Sequence, residues 1–172
     1  MRENIEKCLH MLARHEGGYV DDKADSGGPT DWGISTPVYE AWIGHEVSAE
    51  EMAAIPYAVA EKIYRQEYWE VVHGDELPSG VDWAVFDWAV NAGPSGAAKG
   101  LQNAVSVVAD GIIGPQTIAA THAEQPNKII DKIAVLREAQ YRGSKSFNTY
   151  KKGWLRRNED TRVAALEMAK GQ

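Results

Sequence analysis

Gly80-Val81-Asp82-Trp83-Ala84-Val85-Phe86-Asp87-Trp88-Ala89-Val90-Asn91, residues 80–91, is apolar almost all the way round a helical wheel. A helix on a protein surface carries one apolar stripe, whereas apolar residues on every side mark a helix surrounded by others. The stretch therefore predicts a buried central helix, broken by Gly93-Pro94. Downstream, shorter helices are expected at about 95–106 and 115–123. An amphipathic one should run from Pro126 to about Arg142, and a last one from about Tyr150 to Lys170. Upstream, one helix should start at Thr36-Pro37, another at Ser48, where Glu51 completes a capping box, and a third at Pro56. Residues 4–16 form the first: Asn4 suits an N-cap, and Ile5, Cys8, Leu9 and Leu12 recur on one face. Strand-like alternation is almost absent. The fold class is mostly α, with one small irregular or β-containing lobe near residues 19–35, which are rich in Gly, Asp, Ser and Pro. No repeat or low-complexity linker divides the chain, so the parts before and after Gly93-Pro94 are expected to share one core.

The totals narrow the function classes. At 172 residues, one domain is the expectation, and 44% hydrophobic with 25% charged residues is ordinary globular composition. A formal net charge of −7 argues against a general nucleic-acid binder. One cysteine, Cys8, excludes an internal disulfide and is expected to be a buried, inert thiol. The start of the sequence has no apolar run long enough for a signal peptide, and no stretch is long enough to span a membrane. The expected setting is synthesis in the cytoplasm, with any action on the envelope following release.

The chemically informative stretch is His15-Glu16-Gly17-Gly18-Tyr19, followed by Asp25-Ser26-Gly27-Gly28-Pro29-Thr30-Asp31-Trp32-Gly33-Ile34. Glu16 lies four residues beyond Leu12, on the apolar stripe of the first helix and at its C-terminal end. Burial penalises its charged form, and the negative end of the helix dipole does the same, so the carboxyl should keep its proton near neutral pH. That is the state of a general acid. Asp25, in a polar glycine-rich loop, should stay ionised. Two carboxyls in contrasting surroundings suit glycoside hydrolysis, one protonating the leaving oxygen and the other activating water or steadying positive charge. Thr30 offers a hydroxyl to hold that water. The same residues also fit a blander description, a solvated glutamate at a helix end followed by an ordinary Asp-Ser-Gly-Gly turn.

The run Glu16-Gly-Gly-Tyr19 with Asp25-x-Gly-Gly-x-Thr30-x-x-Gly33-Ile34 closely resembles the signature of glycoside hydrolase family 108, a family of N-acetylmuramidases that includes phage lysins. Phe86 to Gly93 and Leu101-Gln102-Asn103 resemble its central region. Asp110-Gly111-Ile112-Ile113-Gly114-Pro115-Gln116-Thr117 resembles the predicted peptidoglycan-binding part paired with it. The resemblance covers roughly residues 5–165. It implies a lysozyme-like fold with a catalytic part over 1–92 and a peptidoglycan-binding part over 93–172. It further implies Glu16 as catalytic acid, hydrolysis of the β-1,4 bond between N-acetylmuramic acid and N-acetylglucosamine, and a phage or prophage endolysin as the setting. Asp25 and Thr30 follow in the Glu, Asp, Thr order of phage-type lysozymes. The rivals are a lytic transglycosylase, which ends on a 1,6-anhydro product, and a non-catalytic wall-binding or phage structural protein.

Around this centre, Tyr19 and Trp32 are candidates to stack on or hydrogen-bond sugars, with core packing the alternative for Trp32. Asn91 is a candidate to read an acetamido group, with a helix C-cap the alternative. Tyr68 and Trp69 read as core. His15 points about 100° away from its neighbour Glu16 and is no partner for it. No His, Cys and Asp cluster has metal-ligand spacing, so neither metal nor cofactor is expected. Arg142, Lys145, Lys151, Lys152, Arg156 and Arg157 fall in a segment without an acidic residue. They are expected either to be a solvated face or to draw the protein to an anionic envelope such as lipopolysaccharide. A monomer is the default.

Overall fold

The computed structural model describes residues 4–15 and 30–171. Among them the architecture is helical. α1 (Asn4–His15) leads to a two-stranded antiparallel hairpin, β1 (Thr30–Asp31) with β2 (Ile34–Ser35). Then come α2 (Thr36–Ile43), α3 (Ala49–Met52) and α4 (Tyr57–Ile63), a π-helical turn (Tyr64–Trp69) and a 3-10 turn (Gly74–Glu76). The second half is α5 (Val81–Ala92), α6 (Pro94–Ala104), α7 (Pro115–Ala123), α8 (Pro126–Gly143) and α9 (Phe147–Ala169). A mostly α fold with a small β element between α1 and α2 is what the sequence predicts. α9 starts three residues earlier than expected, and Pro56 is the residue before α4 rather than its first.

α5 is the axis. Its residues from Val81 to Ala89 are all buried, and α1, α6, α8, α9 and both irregular turns pack on it. Two of its buried residues are aspartates, which an apolar environment tolerates only with partners. Asp82 accepts from the Asn4 amide at 2.7 Å and from the Gly80 backbone N–H at 2.7 Å. Asn4, expected as a cap, spends its side-chain amide on Ser79 and Asp82 and so ties the start of α1 to the entry of α5. Asp87 is held by α8 and α9.

Local chemistry sets the boundaries. Ser48 and Glu51 form the reciprocal capping box, with the Ser48 N–H donating to Glu51 at 2.9 Å and the Glu51 N–H to Ser48 at 3.2 Å. Gly93, at φ +83°, closes α5, and Pro94 opens α6 at a first-turn position that needs no N–H. α6 then packs so closely on α5 that a Cβ at Gly100 would lie 2.1 Å from the Trp88 ring. One apolar cluster runs through both halves, from Ile5, Cys8, Leu9 and Leu12 of α1 to Ile129 and Ile133 of α8 and Met168 of α9. No helix among the described residues is long and apolar enough to cross a membrane.

Candidate active site

Glu16, Tyr19 and Asp25 lie outside the described residues, as does the Gly17-Gly18 stop expected after α1. The structure does describe what leads up to them. α1 buries Ile5, Cys8, Leu9 and Leu12 against the core. The medium along that face disfavours negative charge: burial, reinforced by the Asp82 carboxylate, pushes the Cys8 thiol far above its ordinary range.

Thr30 begins β1, opposite Ser35. The hairpin turns at Trp32 and Gly33, with φ +52° and +74°, the positive pair that a two-residue type I′ turn requires. Glycine adopts this freely, whereas a tryptophan does so at a cost of order 1–3 kcal/mol unless its surroundings hold it. They do. The indole N–H donates to the Ile55 carbonyl at 3.0 Å, and its ring meets Tyr57 edge-on at 5.1 Å. The Tyr64 hydroxyl donates to the Trp32 carbonyl at 2.5 Å. Trp32 is thus half-buried and anchors the hairpin to the α3–α4 connection and to the π-helical turn.

That turn forms one wall of an open groove of about 720 Å³. α2 contributes Val38, Ala41 and Trp42, the π-helical turn contributes Glu67 and Tyr68, and the α5–α6 junction contributes Val90, Gly93 and Pro94. Aromatic faces with few polar groups suit the apolar faces of pyranose rings. Sequence reasoning placed Tyr68 and Trp69 in the core: Trp69 is core, and Tyr68, half-buried, packs against that core but also lines the groove. It also passed over Trp42 and Glu67. A π-helical turn redirects successive side chains in a way that helical periodicity does not reveal, and such turns recur at functional sites.

Asn91 stands in the last turn of α5, in sequence between groove-lining Val90 and Gly93, and is exposed. The C-cap is Gly93, so Asn91 does not serve as one. Its Oδ1 accepts from the Tyr141 hydroxyl at 2.8 Å, and Tyr141 in turn accepts from Arg137 Nε at 2.7 Å. Arg137 Nη1 donates to Asp87 Oδ2 at 2.6 Å. Asp87, completely buried, also accepts from Arg157 Nη2 at 2.8 Å and from the Thr161 hydroxyl at 3.0 Å. Burial alone pushes the Asp87 carboxyl up, but the Arg137 and Arg157 guanidiniums outweigh it and bring it down to about 2. Among the described residues no cationic side chain bonds to Asp82, and burial pushes its carboxyl up despite its hydrogen bonds.

Arg157 must therefore be removed from the basic surface segment, since it is an internal partner of Asp87 and its side chain is only 16% exposed. Arg142 pairs with Glu138 at 2.6 Å, and Arg156 approaches Asp160 at 3.6 Å. Lys145, Lys151 and Lys152 are exposed. The Asp110–Thr117 stretch is a loop that runs into the first turn of α7 and is locked around Gln102, whose amide donates to Asp110 at 2.7 Å and to the Ile112 carbonyl at 2.9 Å. Its oxygen accepts from the Gly111 N–H at 2.9 Å, and Ile112 is left exposed at the tip.

Comparison with known proteins gives these features a family. The model of glycosyl hydrolase 108 matches residues 9–93, and that of a predicted peptidoglycan domain matches residues 97–159. Among curated proteins no match is found. Among solved structures, that of Brucella abortus SagA is similar over 98% of this chain and 97% of its own, at 39% identity and a TM-score of 0.94. α1 and the groove in the first half, and the loop locked around Gln102 in the second, fall within those two segments: the chain belongs to the glycosyl hydrolase 108 family and is a glycoside hydrolase carrying a predicted peptidoglycan domain.

Proposed function

We propose that the protein is an N-acetylmuramidase that hydrolyses the β-1,4 bond between N-acetylmuramic acid and N-acetylglucosamine in peptidoglycan. Glu16 is its general acid, Asp25 the second carboxyl and Thr30 a holder of the attacking water. The observation that carries this reading is the burial of α1's apolar face, continuous from Ile5 to Leu12. In the sequence Glu16 follows Leu12 by four residues and directly follows the last residue of α1, where low polarity and the helix dipole would both keep a carboxyl protonated. The aromatic groove of Trp42 and Tyr68 supports a glycan as ligand, and Tyr19, Trp32 and Asn91 complete the set assigned to substrate. The biological setting that fits is a phage or prophage endolysin working as a monomer. Lys145, Lys151, Lys152 and Arg156 form the face offered to anionic envelope polymers.

In the reaction, Glu16 gives its proton to the glycosidic oxygen as the bond to the muramic C1 breaks. Positive charge gathers on the sugar ring, and Asp25 draws a proton from the water that attacks C1. The carboxylic acid alone is worth roughly 10²–10⁴ in rate. Glu16→Gln should therefore keep the wild-type circular dichroism and melting temperature while clearing purified peptidoglycan at least about a hundredfold more slowly. Asp25→Asn should also be severely impaired. A Glu16→Gln enzyme retaining more than a tenth of the wild-type rate removes Glu16 from its role. Mass spectrometry of the products tests the bond: reducing-end muramic acid is expected, whereas 1,6-anhydromuramic ends would make the enzyme a transglycosylase.

A further inference from the structure

The chain of hydrogen bonds from Asp87 to Asn91 has a fixed direction, and this fixes which atoms the exposed Asn91 leaves unengaged. Arg137 is a donor only, so its Nε makes the Tyr141 oxygen an acceptor. The one proton of Tyr141 is then free to go only to Asn91, which must meet it with its carbonyl oxygen. Tyr141 thus engages the Asn91 oxygen and leaves the two N–H donors of Nδ2, on an exposed residue, for a ligand. Val90, Gly93 and Pro94, which flank Asn91 in sequence, line the groove. The supporting shell is rigid: Tyr141 is buried, its ring stacks on Trp154 at 5.0 Å, and Arg137 lies over the same ring at 5.5 Å.

We propose that Tyr141 is a positioning residue that holds the Asn91 amide as a donor to the acetamido carbonyl of a bound sugar, so that Asp87, Arg137 and Tyr141 set selectivity for N-acetylated over de-N-acetylated glycan. This rests on the muramidase reading above. It crosses the boundary between the two family segments, because Asp87 and Asn91 lie in the hydrolase segment and Arg137 and Tyr141 in the peptidoglycan one. The second segment then shapes the substrate preference of the first. A glucosamine without its acetyl group presents an ammonium, a donor facing a donor, and leaves the amide unpaired.

The test compares hydrolysis of purified peptidoglycan with that of the same wall chemically de-N-acetylated. The wild type should prefer the acetylated wall, and Asn91→Ala should lower the preference roughly tenfold, the value of one well-placed hydrogen bond. Tyr141→Phe keeps the ring on Trp154 and removes only the hydroxyl. It should lower the preference nearly as far, mainly through KM on the acetylated wall, and the double variant should be no less selective than Asn91→Ala. Equal losses on both walls, or single-variant losses that multiply in the double variant, overturn the proposal. Should Tyr141→Phe fail to fold, the wild type decides by NMR. The Asn91 side-chain amide pair, identified by its loss in Asn91→Ala, should shift on binding soluble N-acetylated peptidoglycan fragments, and an unmoved pair refutes the assignment. A wild type inactive on both walls would instead strike the muramidase reading itself.

Discussion

Replacing Asp87 by asparagine tests the interior of the fold most directly. The carboxylate sits between two guanidiniums and a hydroxyl, at 2.6, 2.8 and 3.0 Å, and is completely buried. In the folded chain it titrates near 2 rather than its ordinary 3.8. At about 1.4 kcal/mol per pH unit, that gap is worth about 2 kcal/mol of stability in the ionised form. The folded-state value is the lower one, so the contribution is complete above about pH 4 and is lost as pH falls toward 2. Substitution should cost more than protonation. It leaves Arg137 buried beside a neutral amide, one end of which is itself a donor, and Arg137 Nη2 already has no partner. Removing one member of a buried ion pair costs roughly 3–5 kcal/mol, which for a chain of this size is a fall in Tm of roughly 6–20 °C. Urea unfolding followed by circular dichroism at pH 7 and again near pH 3 measures both quantities. The variant should be far weaker at pH 7, and its stability should fall less than the wild type's between the two. A loss under about 1 kcal/mol at pH 7, or parallel acid profiles, would refute the idea that this ion cluster clamps α8 and α9 to α5.

Three further outcomes follow from the packing. Gly100→Ala should destabilise by about 1–3 kcal/mol in the same unfolding assay, because the new methyl meets the Trp88 ring, which is pinned through its N–H to Gln140 at 2.8 Å. Ser48→Ala removes an N-cap on an exposed turn and should cost about 1 kcal/mol with little effect on lysis of bare wall. Neutralising Lys145, Lys151 and Lys152 to glutamine should weaken killing of whole Gram-negative cells more than digestion of purified wall; equal losses would leave that face with no envelope role. Arg157 is kept out of this variant, since its loss would unseat Asp87.

Much of this architecture was readable in residues 80–91. Apolar side chains on every side of one helix require neighbours on every side, and the helices that supply them are visible as separate amphipathic runs. What the stretch did not disclose is how Asp82 and Asp87 are borne inside it. Their side-chain partners lie far away in sequence, Asn4 for one and Arg137, Arg157 and Thr161 for the other, and no periodicity links them. The same distance made Arg157 look like one more surface cation. The Glu16 assignment came from a short motif and a helical stripe, both local signals. Tyr68, Trp42 and Glu67 were missed because the groove is made where three separate elements meet, and because regular helical spacing cannot predict a π-helical turn.

The turn at 64–69 also acts as a spacer. A helical residue advances about 100°, so excising any one of the turn's six residues, unless the turn tightened to make it up, would rotate everything after it by about that much. Trp69 would swing off Phe86 and away from the Gly74 backbone, which it packs against so tightly that no side chain fits there. The entry to α5 would lose its seat at the moment the groove lost its wall. Length at this place is thus held as strictly as residue type, and single-residue deletions here should be tolerated far less well than in the exposed turn near Ser48.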